Sequence, residues 1–219
     1  MLSAPNNPLW YNKIMKIFKN GLLTGLVLQL AIGPVFFFII NLTLQKTALD
    51  GLVATLGATL ADYVYITLAI FGIGKLLEKE RVKKIFGIIS SIVLIVFGIF
   101  VIKNVLIENF SAGVNTNSVS LFSSFIYTFF LTLSSPLTIF LWTSLFAAKA
   151  LEYNYSKKEL LIFGFSTGLA TFVFIGTAVI IFSSIKGNIP ITLIQILNLI
   201  VGCLLIGYGG IRLRKVTKP

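Results

Sequence analysis

Six long apolar runs dominate the sequence, and they constrain its fold more than any other feature. Each approaches or exceeds the roughly 20 residues that a helix needs to cross the hydrocarbon core of a bilayer. In chain order they are numbered as spans one to six: Gly21–Leu44, Leu52–Leu76, Ile85–Ile102, Ser120–Ala148, Leu160–Ile185 and Ile191–Ile211. Only 11% of the residues are charged, against about 25% in an ordinary soluble domain. The sequence predicts an all-α integral membrane protein with six transmembrane helices, residues 1–219 forming a single membrane domain.

The positive charges favour alternate sides of these spans. Of the 18 Lys and Arg residues, 15 lie in the N-terminal tail, in the loops after spans two and four, and in the C-terminal tail. Because basic residues favour the cytoplasmic side of a membrane, both termini are predicted to be cytoplasmic. The same residues form no continuous patch with interleaved aromatic side chains, so the net charge of +11 does not predict binding to nucleic acid.

Two residue types that carry much of protein chemistry are almost missing. The chain has no histidine and one cysteine, Cys203, so His-based metal sites, catalytic triads and two-thiol redox pairs are not expected. Too few residues remain outside the spans for a separate catalytic domain. We therefore expect a protein that is not an enzyme and needs no metal or cofactor.

The two halves of the chain resemble each other. Residues Leu60–Ile66 in span two match Leu169–Ile175 in span five, 109 positions later, and the same offset aligns Gly98 with Gly207. Each half, residues 13–112 and 113–219, holds three spans, so the second half must cross the membrane in the opposite sense. The sequence thus predicts two inverted three-helix repeats, an arrangement in which substrates bind near the midplane between the halves.

Each half has a proline inside its first span. Pro34 follows Gly33 in span one, and Pro136 follows Ser134 and Ser135 in span four. Proline lacks the N–H that would bond the carbonyl four residues earlier, and lipid cannot satisfy that carbonyl. Two interpretations stay open here: broken helices whose backbone lines a substrate path, or kinks that shape the bundle and bind nothing.

Asp62 is the one carboxylate placed well inside a predicted span. An ionised group at that depth costs several kcal/mol, so Asp62 is expected to face the interior of the bundle. Helical spacing places Thr55 and Thr59 on the same face. The carboxylate could exchange a proton, since burial disfavours its charged form, or balance a substrate ammonium group. The alternative is a structural carboxylate bonded to a neighbouring hydroxyl. Its repeat partner, Thr171, is neutral.

Small and aromatic residues have plainer interpretations. Gly164 and Gly168 in span five, and Gly21 and Gly25 in span one, have the spacing of helices that pack closely, within one chain or in a homodimer. Most phenylalanines are expected in the core or against lipid. The aromatic residues expected at the membrane interface are Trp10, Tyr11 and Trp142.

Several short motifs occur together in the order found in a known family. They are Ile32-Gly33-Pro34, the glycines Gly51 and Gly57, Phe97-Gly98, Ser135-Pro136, and the pair Gly202 and Gly207. In this order and spacing the chain resembles the LysE/RhtB-type amino-acid exporters, six-helix bacterial membrane proteins of similar length. The resemblance has departures. Ile32 replaces a proline of the family, Ser135 replaces an asparagine, and Thr171 stands where many relatives have an acidic residue.

The resemblance implies export of amino acids or similar small polar solutes, driven by the proton gradient across a bacterial inner membrane. The partners would be the solute, protons and the lipid bilayer. We expect alternating access of the two halves around Gly33, Pro34, Asp62, Ser134, Ser135 and Pro136, with Thr59 and Thr171 on the path. Two rivals stay open: a scaffold subunit whose glycine faces bind partner helices, and a passive channel.

Overall fold

Every regular secondary-structure element in the described part of the chain is a helix. The structure, a computed structural model, describes residues 8–30, 33–71, 80–108, 120–134, 136–188 and 190–217. The helices are α1 (Pro8–Gln29), α2 (Pro34–Gln45), α3 (Ala48–Ile70), α4 (Glu80–Glu108), α5 (Leu121–Leu133), α6 (Pro136–Tyr153), α7 (Lys157–Ile185) and α8 (Ile191–Thr217). A short 3-10 helix, Lys186–Asn188, precedes α8.

These helices follow the predicted spans with one systematic difference. Spans two, three, five and six correspond to the single helices α3, α4, α7 and α8, whereas spans one and four are each divided into two helices. The predicted end of span two, Leu76, lies outside the described residues.

Not every helix is long enough to cross a bilayer alone. Among the described residues, α3, α7 and the part Gln195–Thr217 of α8 are long and apolar enough to do so. Trp10–Gln29 and α2 together make a further candidate, bent by 81°. The apolar parts of α4 and α5 are shorter, so the number of six spans stays a prediction.

Both internal prolines begin helices. Neither proline lies in the interior of a helix, because α2 starts at Pro34 and α6 starts at Pro136. Proline is well suited to this first position, where its missing N–H costs no helical hydrogen bond. Gly33 is the N-cap of α2, and its carbonyl accepts from the N–H groups of Phe36 at 3.1 Å and Phe37 at 3.4 Å. Of the two open interpretations, the structure shows breaks rather than kinks.

Polar side chains fix the starts of the two central helices, α3 and α7. At α3, the Thr47 hydroxyl accepts from the N–H of Asp50 at 3.1 Å. At α7, Ser156 and Glu159 form a capping box in which each side chain accepts from the backbone N–H of the other. Glu159 also pairs with Lys13 of α1 at 2.6 Å. The N-terminus of α7 is thereby linked to the beginning of the chain.

Glycines bring the helices close together. A methyl group added at Gly25 of α1 would lie 2.6 Å from the carbonyl oxygen of Thr167 in α7, and one added at Gly57 of α3 would lie 2.5 Å from that of Phe125 in α5. Gly98 of α4 lies against Gly202 of α8 in the same way. Such approaches are possible only without a side chain.

The glycine spacing in α7 serves the same purpose. Gly164 packs against Ile66 and Ile70 of α3, and Gly168 packs against the ring of Tyr63. The expectation of close helix packing is therefore confirmed for α7, and the contacts lie within one chain. Together with Gly21, which meets Ser166 of α7, they make α7 the helix against which α1 and α3 are both held.

We predict that Gly57→Ala destabilises the protein, because the added methyl group would overlap the α5 backbone. Overpacking of this kind costs about 1 to 3 kcal/mol. The matched control is Gly210→Ala in α8, where an added methyl group has no atom within 4 Å. Thermal unfolding of the purified protein in detergent measures both. A Gly57→Ala variant as stable as Gly210→Ala would contradict the close contact of α3 with α5.

Candidate functional site

The side chain of Asp62 lies at the meeting point of four helices. It is buried in α3, and its Oδ2 accepts a hydrogen bond of 2.8 Å from the hydroxyl of Thr171 in α7. Its Oδ1 faces the indole N–H of Trp142 in α6 at 3.4 Å. The amide of Gln29, the last residue of α1, donates to the Thr171 hydroxyl at 2.7 Å. We call these four residues the Asp62 cluster.

Neutral donors hold this carboxylate. Neither ion pair that the structure shows among the described residues involves Asp62. Taking an unpaired negative charge out of water is costly, and the two hydrogen bonds recover only part of that cost. A carboxylate in this setting is suited to gain and lose a proton, because protonation removes its charge without disturbing an ion pair.

Both helix breaks adjoin this cluster. Gln29 ends α1 four residues before Gly33, so the Asp62 cluster includes the residue at the first break. Tyr65, one turn after Asp62, donates from its hydroxyl to the carbonyl of Leu133, the last residue of α5. That contact satisfies a carbonyl which the end of α5 leaves without a helical partner. The second break is thus tied to α3 beside Asp62.

The structure brings together only some of the residues predicted for the path. Asp62 and Thr171 are in contact, as described. Thr59 is buried but donates to the carbonyl of Thr55 at 2.8 Å, and Ser134 donates to that of Phe130 at 2.7 Å. Neither hydroxyl reaches Asp62. Gly33 and Pro34 lie at the first break, Pro136 begins α6, and Ser135 lies outside the described residues.

Two members of the cluster were missed by the sequence analysis. Trp142 was expected at the membrane interface, and this was wrong: the residue is 2% exposed. Trp142 lies inside predicted span four, whereas Trp10 lies outside every predicted span, and this difference was the available signal. Gln29 lies four residues before Gly33 inside span one, and an amide at that depth also calls for a partner. Trp10 and Tyr11 are exposed, in agreement with an interfacial position.

A second polar cluster surrounds Asp50 at the first turn of α3. Asp50 is buried and accepts from the hydroxyls of Thr47 at 2.6 Å and Ser124 at 2.9 Å. Lys186 donates to the carbonyl of Lys46 nearby. Burial lowers the pKa of both lysines, and the negative charge of Asp50 partly opposes this effect. Asp50 precedes Asp62 by twelve residues, or about 18 Å along the helix.

Two comparisons with known proteins give matches to this chain. The family model described as "LysE type translocator" matches residues 26–214. The chain is also 30% identical over 152 residues to a protein of Bacillus subtilis (strain 168) named "Putative amino acid efflux protein YcgF". That match covers 68% of this chain and 72% of the relative. No solved structure gives a significant match.

We predict that Thr171→Val destabilises the protein by about 1 to 3 kcal/mol, because it removes the hydrogen-bond partner of Asp62 Oδ2 and that of the Gln29 amide. The matched control is Thr177→Val in the same helix, whose exposed hydroxyl only donates to the carbonyl of Val173. Thermal unfolding in detergent compares the two variants. Equal effects would contradict the role of Thr171 in holding the carboxylate.

Proposed function

Because the chain belongs to the LysE-type translocator family, we propose that it is a secondary transporter that exports amino acids or similar small polar solutes. The family and the relative named for amino acid efflux indicate a multi-pass membrane transporter rather than an enzyme. The observation that carries the proposal is the buried carboxylate of Asp62, which among the described residues is held by neutral donors beside both helix breaks.

In the proposed mechanism, Asp62 exchanges a proton against the substrate. In its ionised form the carboxylate accepts from Thr171 and Trp142. A proton bound to Oδ1 or Oδ2 removes the negative charge and gives that oxygen a hydrogen to donate. The hydroxyl of Thr171 can then rotate and accept from the protonated carboxyl, because its oxygen has two lone pairs and Gln29 donates to one of them. Proton binding would therefore change contacts with α1, α6 and α7 together.

We propose that two inverted repeats, residues 13–112 and 113–219, provide alternating access around this cluster. Packing supports the repeat: α1 of the first half lies on α7, and correspondingly α5 of the second half lies on α3. Asp62 and Thr171, which the 109-residue offset aligns with each other, are in direct contact. Equivalent residues meet in this way only close to an axis that relates two halves.

The remaining elements of the proposal follow from charge and family. The positive charges favour cytoplasmic termini and a bacterial inner membrane, and they assign the Asp50 cluster to the external face.

The rival in which glycine faces bind a partner protein is weakened. Gly21, Gly25, Gly164 and Gly168 are covered by helices of the same chain. A homodimer, if it forms, would need other surfaces.

We predict that proteoliposomes loaded with labelled amino acids show efflux that depends on an imposed pH gradient. Asp62→Asn is expected to reduce gradient-driven efflux by at least about tenfold, because the amide cannot exchange a proton. Thr177→Val, on an exposed face of α7, is the control for insertion and stability.

Each other result favours a rival. Efflux of one solute class that ignores the gradient in both proteins would indicate a passive channel. No efflux of any of the twenty amino acids would favour the scaffold or a different solute. Undiminished gradient-driven efflux by Asp62→Asn would reject Asp62 as the coupling residue.

We predict opposite accessibilities for the two ends of α7. In a Cys203→Ser background, Gly187→Cys is expected to react with an impermeant thiol reagent added outside intact cells. Lys158→Cys, in the first turn of α7, is expected to react only after permeabilisation. Both positions are exposed in the structure, so burial does not limit either reaction. The reverse pattern would overturn the proposed orientation.

A further inference from the structure

A polar pocket lies on helices that also form the Asp62 cluster, nearer the end of the bundle that the charges assign to the cytoplasm. Its volume is about 200 Å³, and α1, α6 and α7 all contribute to its lining. These are the three helices that supply Gln29, Trp142 and Thr171 to the Asp62 cluster. The pocket and the cluster are thus built on the same elements.

The pocket is displaced from the cluster in one direction along all three helices. Thr24 precedes Gln29 by five residues, Lys149 follows Trp142 by seven, and Phe163 precedes Thr171 by eight. At 1.5 Å per residue these separations correspond to about 8 to 12 Å. Since α6 runs opposite to α1 and α7 in the proposed topology, all three offsets point towards the cytoplasmic end.

Among the described residues that line this pocket, Lys149 is the one cation, and its ion-pair partner is easily replaced. The Nζ of Lys149 pairs with Glu152 at 2.9 Å, and it lies 4.8 Å from the centre of the Tyr153 ring. The Lys149 side chain is 21% exposed, whereas that of Glu152 is 54% exposed. An ion pair with such a solvated partner contributes only about 0 to 1 kcal/mol. An incoming carboxylate can therefore take the place of Glu152 at little cost.

The rest of the lining suits the other parts of an amino acid. Thr24 donates to the carbonyl of Asn20 at 2.7 Å, so its hydroxyl oxygen still has a lone pair for a substrate ammonium group. Tyr155 stacks on Tyr153 with ring centres 5.2 Å apart and packs against Phe163 at 6.1 Å. These rings form an aromatic wall for an apolar side chain. The small volume suits a solute smaller than most drug-sized ligands.

We propose that this pocket is the cytoplasmic loading site, where a free amino acid binds through its carboxylate to Lys149 before it moves to Asp62. This inference rests on the proposed export function and extends it to a second site. Lys149 and Glu152 have opposite effects on loading. Lys149 attracts the carboxylate of the substrate. The carboxylate of Glu152 competes with the substrate for the ammonium group of Lys149.

The test is equilibrium binding of each of the twenty common amino acids, radiolabelled, to the purified full-length protein in detergent. Lys149→Gln is expected to raise the Kd by about tenfold or more, since a hydrogen bond to a charged partner is lost. Lys149→Arg should restore most of the binding. Glu152→Gln should lower the Kd, because it frees Lys149. The control for net charge is Lys158→Gln, at an exposed position outside the pocket.

The opposite signs separate a loading site from a structural ion pair. If Lys149 and Glu152 only stabilise α6, their neutral variants should change binding alike, and that result would overturn the inference. Binding of the amino acid methyl ester as tight as that of the free acid would also overturn it. Export with an unchanged KM in Lys149→Gln would reject the loading site but keep the exporter. Lys149-dependent binding without export in the wild-type protein would keep the site and reject the exporter.

Discussion

The removal of one carboxylate from water organises the centre of this protein. Asp62 has no ion-pair partner among the described residues, so hydrogen-bond donors must come to it from neighbouring helices. Thr171 and Trp142 provide them, and Gln29 completes the arrangement by bonding Thr171. These contacts require α1, α6 and α7 to converge on α3 at one level. The bundle is thus fixed in register around a group whose charge can be changed by a single proton.

Close packing holds some pairs of helices together, whereas the helix breaks separate others. Glycines hold α1 against α7 and α3 against α5, so these pairs behave as packed units. The breaks before Pro34 and Pro136 separate the first helix of each half from the second. α1 packs against α7, whereas α2 packs against α3, α7 and α8. Gln29, before the first break, donates to Thr171, and Leu133, before the second, accepts from Tyr65 one turn after Asp62, so both breaks lie beside the Asp62 cluster.

Much of this could be predicted from the sequence, and the limits have physical causes. Apolar runs locate helices because the bilayer imposes their length, and a lone carboxylate in such a run identifies Asp62. The repeat offset singles out Thr171 through an alignment, although nothing local suggests that it donates to Asp62. The buried position of Trp142 could not be predicted, because an indole suits a core, an interface and a lipid contact equally. Pro34 could not be assigned to a helix start, since hydropathy does not register where hydrogen bonding is interrupted.

The contact between Asp62 and Thr171 also has a consequence for how the chain is made. The two residues are 109 positions apart, and Trp142 follows Asp62 by 80. When α3 enters the membrane during synthesis, neither donor yet exists. The carboxylate must remain at the membrane surface, bind a proton or be shielded by other proteins until α6 and α7 arrive. The first half is accordingly an unfinished intermediate, and quality-control proteases would meet it in that state whenever translation stops early.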